Sequence, residues 1–248
     1  MMESVKKAFI LSAKALNLFY VVAAVNVIMN IINFLVVPAP AKSEMSIGKS
    51  ALVIILTVVF ALISLFVTAG AFTYIKGLIK SGSAKLSSLI EGGSKYFLKL
   101  LLVSLILLAA FFVLSIAMAA VLKILPVTLN VLKLIITVLL FIILAVIVIM
   151  SPYAVVAGDL SVKEAIKSSI AMGLKHFLKI IGIMLIMIGV GIVILVIAGV
   201  LSGLLSFILR PLAGLLAAVI MAIASSIIGI FVNIAYMDFY MKNASTTR

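Results

Sequence analysis

Residues 173–201 read GLKHFLKIIGIMLIMIGVGIVILVIAGVL, and this stretch decides the fold. No charged residue occurs between Ile180 and Leu201. A helix needs about 20 predominantly apolar residues to cross a bilayer, because each backbone polar group in lipid must find its partner within the helix. The stretch therefore predicts a transmembrane helix that begins at Phe177, immediately after a short basic segment.

Five other segments have the same character, so the whole chain is predicted to be a membrane domain. Of its 248 residues 67% are hydrophobic, whereas soluble domains are usually about 45–50% apolar. The predicted spans cover residues 16–37, 51–75, 97–122, 127–150, 177–201 and 212–240. We therefore expect an all-α, polytopic transmembrane helical bundle of about six spans, forming a single integral membrane domain over residues 1–248.

The basic residues are distributed unequally between the two sides of this domain. Of the 19 Lys and Arg residues, 14 lie on one side: they precede the first span, lie in the two longer loops or at the span starts that follow these loops, or follow the last span. Because cytoplasmic segments are enriched in Lys and Arg, both termini are predicted to be cytoplasmic in a multi-pass protein of the cell (plasma) membrane. The net charge of +13 is then explained by attraction to anionic lipid head groups. No dense basic cluster indicates nucleic-acid binding.

The two longer loops, residues 76–96 and 151–176, are long enough to contain helices that lie on the membrane surface. The second has the clearer pattern, because Ser161 and Glu164 form a capping-box sequence that predicts a helix start. Pro152 is expected to end or kink the fourth span. One face of the predicted surface helix carries Val162, Ile166, Ile170, Gly173 and Phe177.

The segments that precede the spans resemble one another. The sequence GSKYFLK at residues 93–99 matches GLKHFLK at residues 173–179 in five of seven positions, and Lys14 follows a small residue near the N-terminus in the same way. We predict three parallel repeats, each an interfacial helix followed by a helical hairpin. The approximate units are residues 1–80, 81–160 and 161–248. The alternative is that any interfacial helix entering a membrane has this composition.

Basic residues at the ends of these segments are close enough to reach lipid head groups. A lysine can extend its charged end to the membrane surface while its stem stays among apolar groups. The candidate head-group contacts are Lys14, Lys95, Lys99, Lys175, His176 and Lys179. Membrane lipids with anionic head groups are therefore the predicted partners.

Asparagines on the first span form the candidate polar site within the membrane. Asn26, Asn30 and Asn33 share one helix face, at spacings of four and three residues. Polar side chains at membrane depth are costly and usually face the bundle interior or a cavity. These asparagines either hydrogen-bond to Asn233 of the sixth span or to hydroxyls of the second, or they form with Asn233 the polar lining of a path for a solute.

Small residues recur on single faces of the second and sixth spans, and we interpret both faces as packing surfaces between helices. They are Thr57, Ala61, Ser64, Thr68 and Ala71 in the second span, and Gly214, Ala218, Ala222, Ser225, Gly229 and Asn233 in the sixth.

No group of residues predicts catalysis, a metal site or a cofactor site. The sequence has no cysteine and one histidine, His176, which is expected at the membrane surface. Asp159 and Glu164 are better explained by their positions at a helix start than as an acid and base pair. Asp238 is expected to pair with Lys242, one helical turn away. The chain is therefore predicted not to be an enzyme.

The stretch from Met150 to about Ile180 resembles a known group of membrane proteins. It contains SPY at residues 151–153, DLS at 159–161, EAIKSS at 164–169 and KHFLK at 175–179. This combination resembles poorly characterised six-helix membrane proteins of bacteria and archaea, a group that includes the membrane region attached to some glycerophosphodiester phosphodiesterases. The resemblance implies six helices and no catalytic residues. We expect no phosphodiesterase activity, because these residues include no soluble phosphodiesterase domain.

Two functional classes are compatible with the sequence. The leading hypothesis is a non-enzymatic membrane component that acts through contacts with lipids or with a partner. The alternative is a transporter or channel for a small or lipid-like solute, lined partly by the asparagines of the first span. A polar cavity that reaches those asparagines would favour transport, and a dry interface of small residues around them would count against it.

Overall fold

The computed structural model describes residues 1–36, 47–124 and 130–244, and within them the chain is helical without a strand. The α-helices are α1 Met2–Ser12, α2 Leu16–Val36, α3 Ile47–Ser81, α4 Ser87–Ile124, α5 Asn130–Val148, α6 Ser151–Ala157, α7 Val162–Lys175, α8 Phe177–Ile208 and α9 Ala213–Asn243. A short 3₁₀ turn, Arg210–Leu212, precedes α9.

Six helical segments are long and apolar enough to cross a membrane, which confirms the predicted fold class of a multi-pass membrane protein. They are Leu16–Val36, Ser50–Ser81, Ser87–Ala120, Val131–Ala157, Phe177–Ile208 and Ala213–Asn243. The predicted span ends at Val37 and Val127 lie outside the described residues. Most of these helices are longer than predicted, because polar and basic residues at the ends of the apolar runs stay helical.

The region between the second and third spans differs from the prediction. A separate surface helix was expected within residues 76–96, but α3 continues to Ser81 and α4 begins at Ser87. The connection is short because Gly82 adopts a φ of 75°, a left-handed conformation that glycine tolerates and that commonly ends helices. The polar first turns of α4 are therefore continuous with the span that follows them.

The segment between the fourth and fifth spans follows the prediction more closely. Helix α5 ends at Val148, and α6 begins at Ser151 with Pro152 in its first turn. The predicted capping box is present, since the Ser161 hydroxyl accepts from the Glu164 N–H and the Glu164 carboxylate accepts from the Ser161 N–H. The kink and the start of α7 are thus confirmed.

The side of α7 that packs against the rest of the protein coincides only in part with the predicted apolar face. Its buried residues are Ala165, Ser169, Met172 and Gly173, while Ile170 is exposed. The Ser169 hydroxyl donates to the carbonyl of Ile147, 2.6 Å away. In a membrane, large apolar side chains can face lipid, whereas small residues allow helices to approach closely.

Glycines bring neighbouring helices into backbone contact. A Cβ atom at Gly70 of α3 would overlap the backbone carbonyl of Leu89 in α4. A Cβ at Gly173 of α7 would lie 2.7 Å from the Cα atom of Ile147 in α5. Real Cβ atoms do not approach this closely, so these positions fix the separation of the two helix pairs.

Helix α1 and the last turns of α9 lie at the same end of the bundle, which we call the lysine-rich end. It comprises α1, the 82–86 turn, α6, α7 and the last turns of α9, and here α9 contacts α1 and α6, while α6 contacts α7. The Tyr153 ring lies 4.9 Å from that of Phe72 and 5.9 Å from that of Tyr236. All three residues are buried, so the protein core is concentrated at this end.

Two hydrogen bonds at the lysine-rich end join residues 80 positions apart. Lys76 Nζ donates to the carbonyl of Val156, and the Tyr153 hydroxyl donates to Asn233 Oδ1. These contacts connect the last parts of the second, fourth and sixth spans. Their separation of 80 positions agrees with the length of the predicted repeat units, and the three-unit repeat stays a prediction.

Ion pairs fasten the first helix to the last. Asp238 in α9 is only 1% exposed and lies 3.0 Å from Lys7 in α1 and 3.0 Å from Lys242. Lys242 also lies 3.3 Å from Glu3. The predicted pairing of Asp238 with Lys242 is confirmed, and the Lys7 pair joins residues that no sequence spacing connects.

Candidate solute site between the first, second and sixth spans

A cavity of about 170 Å³ lies where α2, α3 and α9 meet. Its polar lining consists of Asn26, Ser64, Thr68, Ser225, Ser226 and Asn233. Its apolar lining is formed by Leu18, Val22, Val25, Val67, Ala71, Ile75, Gly229 and Ile230. The cavity therefore combines uncharged hydrogen-bonding groups with aliphatic walls, which is typical of sites for small molecules.

The cavity extends from the middle of the first span toward the lysine-rich end. Asn26 follows the first residue of α2 by ten positions and precedes its last residue by ten. At 1.5 Å per residue it is about 15 Å from either helix end, and in a hydrocarbon core of about 30 Å this is the depth where polar groups are most costly. Asn233 lies five positions before the charged Asp238 of α9 and is therefore closer to the lysine-rich end.

The hydrogen bond between α2 and α9 fixes the orientation of the Asn26 amide. Asn26 Nδ2 donates to Ser226 Oγ over 2.8 Å, and Ser226 Oγ donates its own proton to the carbonyl of Ala222 over 2.7 Å. Since Ser226 uses its proton on the backbone, the Asn26 amide must be the donor in this pair. Asn26 Oδ1 is then left as an acceptor.

Asn233 is held from the opposite direction. The hydroxyl of the buried Tyr153 donates to Asn233 Oδ1 over 3.0 Å. This bond leaves the Asn233 NH₂ group as a donor at the cavity wall. The aromatic cluster of the lysine-rich end thus positions one polar group of the cavity.

Apolar residues close the cavity toward the lysine-rich end. Leu18 and Ile75 have no exposed surface, and Ile230 is also buried. On the other side, Ser225 lines the cavity and is exposed. The cavity wall is therefore buried at Leu18, Ile75 and Ile230 and exposed at Ser225.

The structure separates the asparagines that the sequence placed together. Asn26 and Asn233 line the cavity, whereas Asn30 and Asn33 are exposed and do not. Asn30 Nδ2 donates to the backbone carbonyl of Asn26 instead. The predicted partner of Asn26 was also wrong, because it hydrogen-bonds to Ser226 of the sixth span. Ser226 lies next to the predicted small-residue face of the sixth span and not on it, so helical spacing did not identify Ser226 as the partner of Asn26.

The predicted packing faces of the second and sixth spans each form part of the cavity wall. Ser64 and Thr68 line it from α3, and Ser225 lines it from α9, whereas Thr57 and Ala61 are exposed. The wall could have been identified from the depth of these hydroxyl groups in the membrane. These hydroxyls are at the same level of the membrane as Asn26.

The candidate head-group lysines divide into two sets at the lysine-rich end. Lys95 and Lys99 lie 2.9 Å and 3.6 Å from the carboxylate of Asp159. The ammonium of Lys95 hydrogen-bonds to that carboxylate, and this contact holds the pKa of Asp159 below its ordinary value. Lys14, Lys175 and Lys179 are exposed. Lys95 and Lys99 therefore share a carboxylate partner, and Lys14 and Lys179 are exposed.

His176 marks the bend between α7 and α8. Its ring lies 5.9 Å from the Phe239 ring in an edge-on arrangement. Its Nε2 atom is buried without a hydrogen-bond partner among the described residues. Burial lowers the pKa of His176, and the neighbouring charges of Lys179 and Lys175 lower it further.

Acidification is therefore expected to destabilise the protein through His176. The unfolded chain has the higher histidine pKa, about 6.5, so it takes up a proton first as the pH falls. The contribution of neutral His176 is complete above about pH 6.5 and decreases as the pH falls toward the lower pKa of the folded protein. Thermal unfolding in detergent at about pH 7.5 and about pH 5 should show a larger loss, by a few degrees, for the wild type than for His176→Phe. Equal losses in the two proteins would contradict this assignment.

Comparison of the chain with protein-family models, with curated proteins and with solved structures yields no match.

Proposed function

We propose that this membrane protein binds a small uncharged polar solute in the cavity between α2, α3 and α9 and moves it across the bilayer. The observation that carries the proposal is a cavity between three spanning helices with amide and hydroxyl groups in its wall. Polar side chains within spans are costly in hydrocarbon, and six of them share this wall. The proposed action is binding and transfer, without catalysis.

The size of the cavity supports a small solute. An apolar cavity of about 150 Å³ in a soluble protein accommodates benzene, so 170 Å³ is sufficient for a molecule of about six non-hydrogen atoms. Transport would also require the site to be exposed to each side of the membrane in turn. Release on the other side would require Leu18 and Ile75 to separate from Ile230.

Contact with lipids is the second candidate function, and the exposed lysines at the lysine-rich end favour it. Lys14, Lys175 and Lys179 are positioned to meet anionic head groups at the membrane surface. In this proposal the lysine-rich end is cytoplasmic and the membrane is the plasma membrane, as the distribution of basic residues predicts. As part of the same proposal, the chain belongs to the group of six-helix membrane proteins that residues 150–180 resemble.

The first candidate can be tested by solute entry into proteoliposomes. Vesicles with and without the protein are mixed with a panel of small neutral solutes, and light scattering follows the volume recovery that solute entry causes. We expect faster recovery with the protein for at least one solute. Asn26→Leu should reduce the protein-dependent rate about tenfold or more, because it removes a polar group from the cavity and fills space.

Asn33→Leu is the matched control, since the same substitution is made on the same helix at an exposed position outside the cavity. It should leave the rate near that of the wild type. Equal rates in empty and protein-containing vesicles for the whole panel would overturn the transport proposal and leave lipid contact as the candidate.

A further inference from the structure

The hydrogen-bonding groups of the cavity are predominantly acceptors. The Thr68 hydroxyl donates its proton to the carbonyl of Ser64, and the Ser225 hydroxyl donates to the carbonyl of Met221. Serine and threonine in helices commonly make this bond to the preceding turn. Because each proton is used on the backbone, the oxygen lone pairs are what these side chains offer to a ligand.

Two further acceptors belong to Asn26 and Ser64. Asn26 Oδ1 is left free when the amide nitrogen donates to Ser226. The Ser64 hydroxyl donates weakly to the sulfur of Met29, 3.8 Å away, so it can accept from a ligand and can also donate to one. The Asn233 NH₂ group is the amide donor directed at the cavity, because its oxygen accepts from Tyr153.

These donors and acceptors decide which solutes can form hydrogen bonds in the cavity with all of their polar groups. A ligand that carries only acceptors would meet oxygen with oxygen at Asn26, Thr68 and Ser225, and it would give up its own hydrogen bonds to water there. A ligand with several O–H groups can donate to the acceptors and accept from Asn233. None of the described residues that line the cavity is charged, so an ionic ligand would be buried without a counter-charge.

We infer that the cavity takes a small neutral polyol, a molecule with two or more hydroxyl groups on a short carbon chain. This inference rests on the proposed function and specifies its solute class. The aliphatic wall formed by Val22, Val67 and Ile230 contacts the carbon chain, and the acceptors of α2, α3 and α9 bind the hydroxyl groups. A polyol that enters the site would thereby join the three helices through its hydrogen bonds.

The test compares hydroxyl compounds with ethers of similar size on the full-length protein in lipid nanodiscs. Ethylene glycol, glycerol and erythritol are the hydroxyl probes, and 1,2-dimethoxyethane is the acceptor-only probe. Saturation-transfer NMR measures the concentration at which each probe saturates the protein. We expect a polyol to saturate at a concentration about tenfold or more below that of the ether, because a site made for hydroxyl groups rejects analogues that lack them.

Variants assign the signal to the cavity. Asn26→Leu should raise the saturating polyol concentration about tenfold or more, while Asn33→Leu should leave it unchanged. Thr68→Val, which has nearly the same shape, should weaken polyol binding without disturbing the fold, and thermal unfolding checks that the fold is intact.

The possible failures are distinguishable. Equal binding of polyols and ether, sensitive to Asn26→Leu, would overturn the polyol assignment and retain the solute site. Preferential binding of propylammonium over propane-1,2-diol would also overturn it, in favour of a cation. Absence of binding by every probe, together with absence of solute entry into vesicles, would overturn both this inference and the proposed function.

Discussion

Gly70→Ala is expected to destabilise the protein by about 2–3 kcal/mol. The added Cβ would overlap the carbonyl of Leu89, and that group is part of the α4 backbone, which cannot rotate aside as a side chain can. Helices α3 and α4 would have to separate along their contact. The loss exceeds the gain of about 1 kcal/mol that alanine brings over glycine in a helix. Unfolding in SDS, followed by circular dichroism, measures the change in free energy.

Gly189→Ala provides the control for this effect. It is the same substitution inside another spanning helix, but no atom lies within 4 Å of the added Cβ. The free energy of unfolding should therefore stay constant or rise by up to about 1 kcal/mol. Equal destabilisation by the two variants would show that the response comes from the alanine itself and would contradict the close approach of α3 and α4.

The double variant Lys7→Met/Lys242→Met is expected to be destabilised by about 2–3 kcal/mol. It leaves the buried carboxylate of Asp238 without either ammonium partner. Removing the partners of a buried charge usually costs about 3–5 kcal/mol, but both lysines are more than 30% exposed, so water partly compensates. Each single variant should have a smaller effect, because one ion pair remains.

Two comparisons make this prediction specific. Lys6→Met removes an exposed lysine from the neighbouring position of α1 and should change the stability little. Adding Asp238→Leu to the double variant should recover much of the loss, because an apolar side chain no longer needs a partner. If the triple variant were less stable than the double variant, the buried charge would not be the cause.

The six spanning helices could be predicted from the sequence because the bilayer imposes a simple requirement on length and apolarity. The start of α7 could be predicted as well, since the bonds between Ser161 and Glu164 are local. The end of α3 at Gly82 was missed, although glycine is a common helix terminator, because a long loop was expected there. The partner of Asp238 in α1 could not be found, because the contact between Lys7 and Asp238 depends on how the first helix meets the last.

The candidate site was predicted only in part, because it also depends on contacts between helices that are far apart in the sequence. Helical spacing correctly placed Asn26, Asn30 and Asn33 on one side of α2, but it could not show how far α9 covers that side. The structure brings α9 over Asn26, while Asn30 and Asn33 are exposed. In lipid, an exposed face and a packed face can have the same apolar composition, so composition does not reveal where one helix covers another.

The joining of α2 to α9 has a consequence for biogenesis. The ribosome releases the first span long before the sixth. Until α9 is synthesised, however, Asn26 has no Ser226 to accept its hydrogen bond, and Asp238 is not yet available to Lys7. The nascent chain must therefore keep a polar face of its first span unsatisfied in the insertion machinery or in lipid. The cavity is therefore among the last parts of the molecule to form, and a chain truncated before α9 would lack one of its three walls.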